Sequence, residues 1–121
     1  MRIVTVDDQP VFHTAAQAII ACTPGFELVG ASSDGESALR LVDEADADIV
    51  IVDVRMPGID GIEVATRLMA DDPTRVVVLA STLDPGSLSR SARACGAAAV
   101  VRKQWLTPRL LHGLWVAHRR R

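Results

Sequence analysis

The sequence predicts an α/β fold, a doubly wound five-stranded parallel sheet with helices on both faces, and three observations carry that expectation. Short apolar runs rich in Val and Ile recur along the chain, at Ile3–Val6, Phe26–Val29, Ile49–Val52, Val76–Ala80 and Ala98–Val101. Longer stretches between them carry apolar residues at helical spacing: Ala38, Leu41, Val42 and Ala45 make one stripe, and Ile62, Ala65, Leu68 and Met69 another. The short runs do not alternate apolar with polar, as expected of strands covered on both sides in a parallel sheet.

Punctuation agrees with this periodicity. Pro10 stands where a first helix would start, and Pro24-Gly25 marks the turn after it. Asp84-Pro85 and Thr107-Pro108 each pair a capping residue with a proline at the first helical position. Gly96 reads as the C-cap that closes a fourth helix. Repeated strand and helix with right-handed crossovers leave few topologies, and the flavodoxin-like strand order 2-1-3-4-5 is the natural one. The length of 121 residues fits one domain, with no internal repeat, low-complexity tract or interdomain linker.

Composition narrows the function classes. Apolar residues make up 49% and charged residues 23%, the balance of an ordinary globular protein. Thirteen basic against fifteen acidic side chains leave a net charge of −2, so direct nucleic-acid binding is not expected. No stretch approaches the roughly 18 apolar residues of a membrane span. The start, Met1 to Asp8, ends in two acids where a signal peptide needs its apolar stretch, so a cytoplasmic location is expected. Cys22 and Cys95 lack CxxC spacing and a nearby His, and are expected as small buried residues on helices. His13, His112 and His118 are scattered, and surface or helix-packing positions away from the acidic residues are expected for them.

The polar residues just past each strand are more informative. The first run leads into Asp7 and Asp8, the third into Asp53, the fourth into Ser81 and Thr82, and the fifth into Lys103. In an open parallel sheet ligands bind beyond the carboxyl ends of the strands, at the switch point between strands one and three. Asp7, Asp8 and Asp53 are therefore expected in one pocket, flanked by Ser81 and Lys103. Carboxylates ~4 Å apart near a protein surface repel by about 4 kcal/mol per pair before screening, so such a cluster takes up protons or a cation. Oxygen ligands without His or Cys suit Mg²⁺, which keeps several waters and accepts a phosphate oxygen. Lys103 adds a point charge for an anion. Acids, a cation, a hydroxyl and a lysine together are the equipment of phosphoryl transfer, in which a carboxylate can form an aspartyl phosphate.

Val6-Asp7-Asp8-Gln9-Pro10, the stretch Asp53-Val54-Arg55-Met56-Pro57-Gly58-Ile59-Asp60-Gly61, Ser81 and Lys103 resemble the response-regulator receiver domain over essentially the whole chain. The Asp53–Gly61 stretch is the most specific, and Val6–Pro10 with Arg55 is most similar to the NarL/FixJ subfamily, whose receivers usually precede a helix-turn-helix DNA-binding domain. The resemblance implies that Asp53 is the phosphoacceptor, attacking a phosphohistidine on a sensor histidine kinase. It implies that Asp8 ligates Mg²⁺ directly and Asp7 mainly through water, with Asp53 and the backbone carbonyl of Arg55 as further ligands. Ser81 and Lys103 would hold phosphoryl oxygens, and Pro57, Gly58 and Gly61 would shape the loop beside the site. Counting back from Lys103 favours Ser81 as the hydroxyl, with Thr82 as the alternative.

Three positions depart from the family pattern. Val100 stands where many receivers carry Tyr or Phe, Gln104 follows Lys103 where many have Pro, and strand four ends in two hydroxyl residues, Ser81-Thr82. With no aromatic at Val100, the hydroxyl's movement would be read out through backbone and loops. Arg55 and Leu83, each two residues past a site residue, are expected at the mouth of the pocket, where they would slow hydrolysis. A phosphoryl group adds roughly two negative charges, and its pull would reach a face formed by the fourth helix, strand five and the last helix. That helix carries Leu110, Leu111, Leu114 and Trp115, with Trp105 before it; one stripe is expected against the sheet, and Trp115 is a candidate partner anchor. The expected unit is thus one receiver domain, 1–121, the front part of a longer regulator with a DNA-binding output domain and a possible homodimer. Its rivals are a haloacid-dehalogenase-type enzyme, which would need an Asp where Arg55 stands, and a degenerate receiver acting as a phosphorylation-independent interaction module. A flavin-binding domain is weaker still, because Asp7-Asp8 would repel its phosphate.

Overall fold

Five strands, β1 (Arg2–Val6), β2 (Glu27–Ser32), β3 (Ile49–Asp53), β4 (Val76–Ser81) and β5 (Ala99–Arg102), lie parallel in the order β2-β1-β3-β4-β5. The computed structural model describes residues 1–56, 58–82, 90 and 94–119. Four helices appear among these: α1 (Pro10–Ala21), α2 (Gly35–Ala45), α3 (Gly61–Asp71) and α4 (Pro108–His118). The capping pair Asp84-Pro85 and most of the expected fourth helix lie outside the described residues, as do Pro57 and Leu83. Among the described residues no helix is long and apolar enough to cross a membrane.

The strand interiors are mostly apolar, yet alternate residues serve opposite layers. Val4 and Val6 of β1, Val50 and Val52 of β3, and Val77 and Leu79 of β4 pack with Ala38 and Val42 of α2 and Val64, Ala65 and Leu68 of α3. Ile3, Ile49, Ile51, Val76, Val78 and Val101 pack instead with Phe12, Ala16 and Ile20 of α1 and Leu111 and Leu114 of α4. Every residue of β3 and β4 is buried, as befits the central strands of a doubly covered sheet.

The first and last helices begin where the sequence indicates. Pro10 opens α1, and Thr107 caps α4 by accepting a hydrogen bond from the Leu110 amide at 3.1 Å. Asp34 and Asp60 cap α2 and α3 in the same way, accepting from the amides of Ser37 at 2.8 Å and Glu63 at 2.9 Å. Gly25 and Gly96 take positive φ values of 85° and 91°, a left-handed conformation that suits glycine.

Several details differ from expectation. β2 spans Glu27–Ser32 rather than Phe26–Val29, because an edge strand pairs through its backbone and tolerates the weakly apolar Gly30-Ala31-Ser32. Gly30 is opposite Val4 after a register shift, and a Cβ there would lie 2.9 Å from Leu41 Cδ1, so the bare glycine admits α2's leucine. Val64, outside the expected stripe, is fully buried; α3 turns its Val64–Ala65–Leu68 face to the sheet and leaves Ile62 and Met69 at the margins. Cys22 is exposed at the C-cap of α1 rather than buried on a helix, whereas Cys95 is buried. On α4, Leu111 and Leu114 enter the core and Leu110 and Trp115 flank it half-buried, while Trp105 is half exposed.

Candidate functional site

Strand parity decides which acid is buried. Asp7 continues the phase of Ile3 and Thr5 on the α1 face of the sheet, and Asp53 continues that of Ile49 and Ile51. Asp7 and Thr5 are inaccessible to solvent, Asp53 is buried and Asp8 is exposed. One carboxylate oxygen from each of Asp7, Asp8 and Asp53 lies within 4.8 Å of the others. Lys103, in a short 3₁₀ helix that follows β5 (Lys103–Trp105), reaches back so that its Nζ lies 2.6 Å from Asp7 Oδ2 and 3.5 Å from Asp53 Oδ2.

Around this core a cleft of about 220 Å³ is lined by Asp8, Gln9, Asp53, Arg55, Ser81, Thr82 and Lys103. Ser81 is buried at the end of β4, paired in register with Arg102, and the exposed Thr82 follows it on the rim. The expectation that strands one, three, four and five deliver their terminal polar residues to one place therefore holds for Asp7, Asp8, Asp53, Ser81 and Lys103. Arg55 is exposed at the mouth, and its amide makes a long 3.4 Å hydrogen bond to Asp53 Oδ1. Leu83 and Pro57 fall outside the described residues.

The loop after β3 explains its glycines. Gly58 has φ 76°, a left-handed conformation that suits glycine. Gly61 begins α3 hard against β3: a Cβ there would lie 1.9 Å from the Asp53 carbonyl oxygen, and its amide donates to the Val54 carbonyl at 3.0 Å. Only a residue without a side chain lets α3 start so close to Asp53.

The electrostatics are those of an undersatisfied acid site. Burial, reinforced by the charge of Asp7, pushes the Asp53 carboxyl above its ordinary value; Lys103 and the Arg55 amide oppose the shift without cancelling it. Asp7 Oδ1 accepts from the Gln9 amide at 2.8 Å, but among the described residues the buried Oδ2 accepts no aligned hydrogen bond and has only the ion-pair contact with Lys103. A buried carboxylate oxygen so placed, in an all-oxygen donor set, fits a small hard cation. The ammonium of Lys103 also stands 5.0 Å from the Phe12 ring centroid, within cation–π range.

Two contributors to the site were not evident in the sequence. Phe12 belongs to the core, yet its ring also walls the lysine. His13, expected away from the acids, touches the backbone that bears one of them: its Nε2 is 2.6 Å from the Asp7 carbonyl oxygen and its Nδ1 2.9 Å from Thr5 Oγ1. A His three residues after an apparent helix start, following two acids, was the available signal.

Comparison with known proteins accords with this geometry. The family model described as "Response regulator receiver domain" matches residues 3–114. A protein-glutamate methylesterase/protein-glutamine glutaminase of Anaeromyxobacter dehalogenans is 36% identical over 104 residues, 85% of this chain and 30% of its own length. The chain thus spans under a third of that relative. A two-component response regulator of the LuxR family from Aurantimonas superposes with a TM-score of 0.85 at 26% identity, covering 98% of this chain and 86% of that one. The signal receiver domain of a response regulator named NarL from Mycobacterium tuberculosis gives 0.81 at 29% identity, covering 93% and 94%. By its sequence, its strand order and the residues at its strand ends, the chain belongs to the response regulator receiver domain family.

Proposed function

We propose that this receiver domain accepts a phosphoryl group on Asp53 from a phosphohistidine of a sensor kinase, or from a small acyl phosphate, and passes the event to a partner or output domain. The observation that carries this reading is the position of Asp53: a buried carboxylate opening into the cleft, 3.5 Å from the Lys103 ammonium and clustered with Asp7 and Asp8. An Asp53 carboxylate oxygen would form the new O–P bond as the donor's P–N bond breaks, and the departing imidazole nitrogen keeps the electron pair and takes a proton from water.

Asp7, Asp8 and Asp53, with the backbone carbonyl of Arg55, would hold Mg²⁺, which neutralises charge on the transferring phosphoryl oxygens. Lys103 and Ser81 are suited to hold the remaining phosphoryl oxygens, since both line the cleft beside Asp53. Of the two hydroxyls, Ser81 is favoured because its backbone is fixed in the sheet immediately beside Arg102. Gly58 and Gly61, with Pro57, would keep the loop in place. Arg55 at the mouth, with Leu83, would shield the acyl phosphate from water, so Arg55→Ala is expected to speed phosphoryl loss.

The output is part of the same reading. With Val100 half-buried against the α2 and α3 layer in place of an aromatic residue, a shift at Ser81 would leave the site through the β4 and β5 loops. A C-terminal helix-turn-helix output domain and a phosphorylation-dependent homodimer are the partners this reading favours. A domain kept only for phosphorylation-independent interaction is less well supported, because all the expected acids and the lysine converge. Intact mass after incubation with acetyl phosphate and Mg²⁺ tests the proposal. It predicts a gain of one phosphoryl group, lost with chelator and in Asp53→Asn; no gain in the folded wild type would contradict it.

A further inference from the structure

We propose that His13 is a positioning residue for the acidic turn, holding Asp7 and Asp8 in the arrangement that takes the divalent cation; this rests on the metal reading above. The turn between β1 and α1 is short, running from Asp7 to Gln9. Asp7 is tied at its amide, which donates to the Ser32 carbonyl at 3.0 Å, and at Oδ1, which accepts from the Gln9 amide. The third tie is the His13 ring. A carbonyl oxygen only accepts, so Nε2 carries the proton and donates to Asp7 O at 2.6 Å.

The other ring nitrogen meets the Thr5 hydroxyl at 2.9 Å, and Thr5 is fully buried in β1. The imidazole is therefore anchored to the rigid sheet at one end and to the acid-bearing backbone at the other. One turn of α1 thus clamps the strand end from which Asp7 and Asp8 project. Without the ring, the carbonyl of a solvent-inaccessible residue loses its side-chain donor, and the turn must move to find another. Mg²⁺ demands near-ideal octahedral geometry, so a small displacement of the acids weakens it. Partners that orient ligands in this way typically change metal affinity by about 10- to 100-fold when removed.

The test is a Mg²⁺ titration of the 121-residue chain followed through the backbone amide resonances of Asp8 and Gln9, for wild type, His13→Ala, His13→Gln and Thr5→Val. His13→Ala is expected to raise the Mg²⁺ Kd about tenfold. His13→Gln, whose amide N–H can still reach the Asp7 carbonyl, should return to within about threefold of wild type. A folded His13→Ala with wild-type Kd would overturn the inference. If His13→Ala does not fold, Thr5→Val decides: a rise of about threefold supports the clamp, and an unchanged Kd overturns it. Absence of any Mg²⁺ shift in the wild type is a separate outcome, which removes the metal reading and the clamp with it.

Discussion

At each end of the sheet one cation, buried Arg75 or the largely covered Lys103, faces three aspartates, and the two clusters behave differently. Arg75, just before β4, lies 3.8 Å from Asp43, 3.2 Å from Asp71 and 3.9 Å from Asp72. Lys103, just after β5, faces Asp7, Asp53 and, close by, Asp8. The formal charge is the same, but the acids are not. Around Arg75 their side chains are 77%, 64% and 39% exposed, so water stabilises the surplus negative charge and the guanidinium serves as a pin joining α2 to the end of α3. Around Lys103 only Asp8 is exposed; the two paired side chains, Asp7 and Asp53, are 0% and 10% exposed, and their charge has little solvent to spread into. Equal stoichiometry gives a structural link at one end and, on our reading, a site poised for a divalent cation and an anion at the other.

The sharpest test of that contrast is to remove each cation. Lys103→Met is expected to slow acetyl-phosphate-dependent mass gain by about 100-fold, equivalent to ~2.7 kcal/mol in the transition state. Arg75→Met should leave that rate within about twofold while lowering stability in urea by roughly 1–2 kcal/mol, through lost packing of the arginine stem and lost pairing. If Arg75→Met slowed phosphorylation as much as Lys103→Met, the two clusters would not be functionally distinct.

A smaller effect is expected from Asp53 itself. Its carboxyl titrates above the ordinary range in the fold, so the folded state holds the proton more tightly than the unfolded chain. The ionised form therefore weakens the metal-free fold at neutral pH, and the favourable contribution exists only at low pH, being lost as pH rises through the raised value. In chelator, Asp53→Asn should stabilise the protein at neutral pH and raise its melting temperature, with the gain shrinking as pH falls through the raised value and gone below the ordinary carboxylate value. A loss of stability at neutral pH would show that Asp53 is better satisfied than its contacts indicate.

The Lys103 cluster was legible in the sequence because strand ends are countable: a run of apolar residues stops, and the next polar residue must sit at the sheet's carboxyl edge. Asp7, Asp53 and Ser81 obey this rule directly, and Asp8 and Lys103 follow one residue later. The Arg75 pin was not legible, since its acids come from two helix ends whose proximity depends on how α2 and α3 pack. His13 escaped for a related reason. Its relation to Asp7 depends on the angle at which α1 leaves the turn, which neither periodicity nor composition records. β2 was misjudged at both ends because an edge strand is held by backbone pairing, and Gly30 is there to admit Leu41.

The most direct test of the central claim is to locate the phosphoryl group chemically. An acyl phosphate on aspartate is reduced by borohydride to homoserine, which peptide mass spectrometry places at a single residue. After treatment with acetyl phosphate and Mg²⁺, the account predicts homoserine at position 53, absent with chelator and in Asp53→Asn. Homoserine at Asp7 or Asp8, or a phosphorylated chain with Asp53 unaltered, would contradict it.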